Sequence, residues 1–133
     1  MQLAQFARSY KSVSVTTATP GHLVLMLFDG ALRFLATAVH GFQVENIATR
    51  HEQIHNNLIK AQNVLRELQC SLDLKAGGEF AKTMYALYDF MLDQLQTANL
   101  AKDAAPIGAV EHMLGEIRDA WAKMLQQSAP CAA

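Results

Sequence analysis

Between Pro20 and Phe42 the chain reads PGHLVLMLFDGALRFLATAVHGF, a helix-forming run with apolar residues on more than one face. Leu23, Leu27, Gly30, Ala31, Phe34, Ala38 and Phe42 form a broad stripe, and Val24, Phe28, Leu32, Leu35 and Val39 widen it. The pair Asp29-Gly30 would signal a turn elsewhere, but here it falls inside an unbroken 3.6-residue rhythm, so the helix continues through it. A glycine in that position costs about 1 kcal/mol against alanine. Its missing side chain is expected to let a neighbouring backbone approach. Thr19 suits an N-cap and Pro20 the first helical position. A small chain built this way has one asset, its packing surface.

Three further runs follow the same period. One starts near Thr49 or Arg50 and ends near Asp73, with Ile54, Leu58, Ala61, Leu65 and Leu68 at heptad-like steps. Ala76-Gly77-Gly78 stops it. The next carries Phe80, Met84, Leu87, Tyr88, Met91, Leu92 and Leu95 and ends around Asn99. Asp103 caps the last, Pro106 is tolerated in its first turn, and Ile107, Val110, Leu114, Ile117, Trp121 and Leu125 line its inner face. Ahead of these, residues 1–12 have the spacing of a short amphipathic helix, and VSVTTATP reads as an extended linker because no partner strand follows.

The expected fold is all-α: an antiparallel up-down four-helix bundle with a short extra N-terminal helix. One helical domain covers 1–127, divided into a flap and linker (1–18) and the bundle (19–127), and 128–133 form a flexible tail. MLFDGALRFLATA from Met26 aligns with ALYDFMLDQLQTA from Ala86, one helical hairpin later. The match reads either as pseudo-two-fold symmetry or as chance agreement between helical sequences.

Composition narrows the function. The 133 residues suit one domain able to bury a core without staples. A net charge of −1 offers nothing to concentrate nucleic acid or acidic lipid. Charged residues are only 17% and hydrophobic ones 51%, which fits a surface partly covered by a partner. Cys70 and Cys131 have no metal spacing and fit a reducing cytosol. No signal-peptide core opens the chain, and no run of eighteen uncharged apolar residues calls for a membrane span.

His51-Glu52-Gln53-Ile54-His55 satisfies H-E-x-x-H, the zinc-protease arrangement of two ligands one turn apart with a glutamate base. A catalytic zinc also needs a third protein ligand and an open cleft, and no G-x-x-H follows. Ile54 reads as a core anchor, and the expectation is no catalysis, no cofactor and no functional metal. No nucleophile elbow, phosphate loop or facing Glu-x-x-His pairs occur. Trp121 and the methionines are expected in the core or a groove.

Several segments in fixed order carry a resemblance: Tyr10; Thr17-Ala18-Thr19-Pro20; Leu25 to Phe34; Lys60 to Leu68; Ser71-Leu72-Asp73; Gly77 to Ala81; Leu87 to Met91; Ala98-Asn99-Leu100; Asp103; and Ile117 to Trp121. Together they resemble the FliS family, the cytoplasmic export chaperones of bacterial flagellin. The resemblance implies a four-helix bundle with a short N-terminal helix. It implies binding of flagellin's disordered C-terminal region, which prevents early polymerisation and aids delivery to the flagellar type III export gate. The segment with Tyr10 is implied to cover part of the groove when no client is bound. One departure is Phe28, where the family usually has Tyr.

The residues expected to form the client groove and flap are Tyr10, Pro20, Leu27, Asp29, Arg33, Ile54, Asn57, Lys60, Ala61, Val64 and Leu68. Asn56, Asn57, Lys60, Gln62 and Asn63 give the second long helix an amide-rich face, which suits the backbone of an extended peptide or is simply solvated. Asp29 and Arg33, one turn apart, can pair with each other or touch the client. The expected partners are flagellin, one-to-one, and the export gate, with a weak homodimer as a further option. The alternative is a helical interaction or dimerisation module for a non-flagellin regulator.

Overall fold

The computed structural model describes residues 20–128. The expected N-terminal helix, the Tyr10 flap, the Thr19 cap and the tail beyond Ser128 lie outside those residues. The described chain folds into four long helices: α1 (Pro20–Gly41), α2 (Ile47–Cys70), α3 (Gly78–Ala101) and α4 (Ala105–Ser128). Among the described residues there is no strand. Each helix packs on two neighbours, α1 and α3 both lying against α2 and α4, so the four close into a bundle.

The ends are set by local chemistry. Asn46, not a residue near Thr49, caps α2, its Oδ1 accepting the Thr49 N–H at 2.9 Å. That adds a turn to the expected helix, because Asn46 satisfies an amide the first turn leaves open. At the other end Ser71 stops α2, its hydroxyl donating to the Leu68 carbonyl at 2.7 Å. The Asp73 carboxylate then accepts the N–H groups of Lys75 and Ala76. Those bonds, the Ala76 one foremost, favour its charged form and lower its pKa. The α3 helix runs past Asn99 to Ala101 and ends on Lys102, whose φ of 51° is left-handed. Asp103 accepts the Ala105 N–H at 3.0 Å just ahead of α4, as its cap-like spacing predicts.

The core is aliphatic. Leu35, Ile54, Leu58, Leu65, Met91, Leu95, Ile107, Val110 and Leu114 are fully buried. Burying a side chain of this size contributes about 1.5–3 kcal/mol. Ala31, Ala38, Ala61 and Ala98 are buried among them. The centre of the α1 stripe is displaced from the expected line: Val24, Phe28, Ala31, Leu35 and Ala38 are innermost, and Leu27, Phe34 and Phe42 flank them. The six aligned pairs of the 60-residue repeat keep the same face inward, Leu35 with Leu95 and Ala38 with Ala98 in the core, Thr37 and Thr97 outside.

Close approach does not occur at Gly30, where a Cβ would meet only the Arg33 side chain at 3.7 Å. It occurs at the bundle ends. A Cβ on Gly77 would lie 2.5 Å from the Ala81 Cβ and 2.7 Å from the Asp73 carbonyl oxygen, whereas one on Gly115 would meet nothing within 4 Å. Gly77→Ala is therefore expected to cost about 1–3 kcal/mol. Gly115→Ala should gain up to about 1 kcal/mol from helix propensity. Urea midpoints at unchanged slope measure both, and a neutral Gly77→Ala would show that the α2–α3 turn is not packed as described.

Candidate functional site

One end of the bundle does not close. There the early part of α1 (Phe28), the end of α2 (Leu68, Ser71, Leu72), the start of α3 (Phe80, Met84, Tyr88) and the end of α4 (Ile117, Ala120, Trp121, Met124) surround a cavity of about 250 Å³. The helices supply these residues because each one's apolar stripe runs to its end while the opposing side chains diverge. Phe28 and Trp121 meet edge to face, ring centroids 6.2 Å apart. The polar atoms nearby are turned away. The Trp121 indole N–H donates to the Gly21 carbonyl at 2.9 Å, and Ser71 is committed to Leu68. Tyr88 is 3% exposed, and burial raises its hydroxyl pKa. The result is an apolar recess suited to an apolar side chain.

Polar contacts clasp the helices on both flanks. Arg118 of α4 donates to Asp29 of α1 at 2.8 Å, each side chain about one-third exposed. The Asp29 bond, helped by Asp119, raises the Arg118 pKa. On the other flank Gln69 of α2 donates to Asp89 of α3 at 2.7 Å and to the Tyr85 carbonyl at 3.1 Å. At the mouth Phe80 is 64% exposed and Met124 44% exposed.

The structure scatters the residues expected from sequence. Leu68 lines the cavity. Ile54 and Ala61 are 0% exposed core residues, with no surface to offer in the closed bundle. Pro20 is exposed at the start of α1. Leu27 and Val64 are partly buried against the core. Asp29 pairs with Arg118 rather than with Arg33, which is exposed: the guanidinium from α4 reaches a carboxylate that its own helix neighbour leaves open. Asn57 donates to the Gln53 carbonyl at 2.8 Å, and Lys60 lies 5.7 Å from the centre of the Phe34 ring. The amide face of α2 is thus divided, since Asn56 and Asn63 are exposed but Gln62 is buried. Tyr10 lies outside the described residues.

The H-E-x-x-H segment splits likewise. His51, Glu52 and His55 are exposed, and the ring Nδ1 of His55 is 2.9 Å from the Asn99 amide nitrogen of α3. Among the described residues no group of three or more metal-ligating side chains gathers. By length and composition α1 is apolar enough to cross a membrane, but its stripe is spent on the bundle core.

Residues 2–128 match the family model described as "Flagellar protein FliS". The FliS family contains this chain. Relatives named "Flagellar secretion chaperone FliS" agree over most of their length. The Bacillus subtilis protein is 37% identical over 118 residues, covering 89% of this chain and 84% of its own. The Salmonella typhimurium protein is 36% identical over 126 residues, covering 91% and 90%. The Escherichia coli protein is 32% identical over 130 residues, covering 94% and 93%. The matched region includes the whole cavity lining of this FliS-family bundle.

Sequence reasoning placed Phe80, Met84, Tyr88, Ile117 and Trp121 on inner faces but did not gather them into a site. The available signal was their position: aromatic and methionine residues at helix ends that meet only once the helices pack. The Tyr88 environment yields a test. Because burial desolvates that hydroxyl, Tyr88→Phe should keep stability or raise it by up to about 1 kcal/mol. A drop in unfolding free energy of more than about 1 kcal/mol in urea titration would show that the hydroxyl is bonded.

Proposed function

We propose that this protein is a flagellar secretion chaperone whose client is the disordered C-terminal region of flagellin. The apolar cavity with its greasy mouth carries this reading, because it is a built recess that the core does not fill. Family membership and the names of the relatives support the chaperone role. A disordered segment that folds on binding must recover its ordering cost from buried apolar area, and an amphipathic helix seated at such a recess does so. The methionines at the rim suit a client surface of variable shape.

The finer reading follows from the same logic. The bundle is antiparallel and up-down: short joints link the helices, and contacts pair Thr37 with Gln53 and Phe34 with Lys60, so that one number falls as the other rises. Each chain carries this end recess once, which favours a one-to-one complex that holds flagellin from polymerising until the pair reaches the type III export gate. That work takes place in the cytoplasm, before secretion, and is done by binding without catalysis. The segment ahead of Pro20, with Tyr10, covers the recess until the client displaces it.

Trp121 is the single tryptophan of the chain and lines the cavity, so it reports on occupancy. Titration with a peptide covering roughly the last forty residues of the host's flagellin should shift its fluorescence to a one-to-one endpoint, with a gain in helicity by circular dichroism. Phe80→Glu places a charge at the mouth, on a side chain that is mostly exposed. It should weaken binding by about tenfold or more while leaving the melting temperature unchanged. Equal affinity for the wild type and Phe80→Glu would remove the cavity from the client site. Deletion of residues 1–15 should change the affinity or promote self-association, and no change in either would refute the flap.

A further inference from the structure

Three polar side chains of α2 stand one heptad apart: His55, Gln62 and Gln69. A seven-residue step returns to nearly the same helix face. The outer two reach α3, Gln69 through Asp89 and the Tyr85 carbonyl, His55 through Asn99. Gln62 lies between them on the same line. It is 1% exposed, and its Oε1 has no hydrogen-bond partner among the described residues. A buried acceptor left unpaired carries its full desolvation cost. The α2–α3 seam is thus fastened near its ends and penalised in its middle.

The other edge of α3 is incompletely filled. A groove of about 390 Å³ runs between it and α4, lined by Leu87, Met113 and Ile117 with His112 and Glu116, 2.7 Å apart, at its rim. Of the eight large apolar residues that are exposed among the described residues, four belong to α3: Phe80, Tyr85, Phe90 and Leu100. The α3 helix makes fewer contacts with its neighbours than α1 or α2 and slightly fewer than α4, so by inter-helix packing it is the most weakly held of the four helices.

We infer that α3 is the moving wall of the end cavity, and that Gln62 keeps the α2–α3 seam weak enough for α3 to swing outward. Phe80, Met84 and Tyr88 travel with it, which widens the recess they line. The use of this motion in admitting a client rests on the chaperone reading; the motion itself does not.

Hydrogen–deuterium exchange of the full chain without client separates the two. Residues 78–101 should exchange faster than the other three helices. Gln62→Leu removes the unpaired acceptor and should slow exchange in 78–101 by about tenfold, with a smaller effect in 20–41. Gln69→Leu, which strips Asp89 of its partner, should speed it, and this second variant keeps the test open if Gln62→Leu fails to fold. Protection of α3 equal to that of α1, or equal slowing of all four helices in Gln62→Leu, overturns the inference. With the flagellin peptide, Gln62→Leu should bind with a slower association rate; an unchanged rate overturns the use of the motion in client entry.

Discussion

The fold depends on α1 settling against α2 and α4 with small residues at the contacts. Ala31, Ala38 and Ala61 are buried with no exposure, and Ile54 packs where a side chain on Gly41 would lie, 3.1 Å from a Cβ there. Small residues let helix backbones draw near, and Leu35, Leu58 and Leu65 fill the space left between them. Substituting a larger residue at those alanines would separate the helices and undo more contact than it added.

The same close fit at one level of the bundle produces the opening at another. Where the helices end, Gly21 brings α1 so near α4 that the Leu125 tip occupies the place of its Cβ, and the Trp121 N–H reaches the Gly21 carbonyl. Trp121 is thereby held as one wall, with Phe28 edge-on beside it. Across from them Phe80 and Met84 fall short of filling the space. The recess therefore lies between the closely approaching α1 and α4 on one side and the start of α3, with its exposed Phe80, on the other.

The four helices were legible in the sequence because a 3.6-residue apolar period is a local property, repeated over more than twenty residues in each case. The site was less legible. Ile54 and Ala61 were expected in the client groove and lie in the core with no exposure, whereas Leu68 lines the recess. Asp29 had a partner one turn away in sequence and found another 89 residues on. Gln62 read as part of an amide face that would meet a peptide backbone or be solvated, and it is buried instead.

By itself the sequence determined that this chain makes long amphipathic helices, where they begin and stop within a few residues, and that its apolar content exceeds its charge. Those features follow from propensity, capping and period, which neighbours along the chain decide. The tertiary structure alone decided which apolar residues are spent in the core and which are left at an open end, and which polar groups find partners. Those outcomes depend on how four helix ends diverge in space, and residues separated by nearly a hundred positions carry no local mark of their meeting.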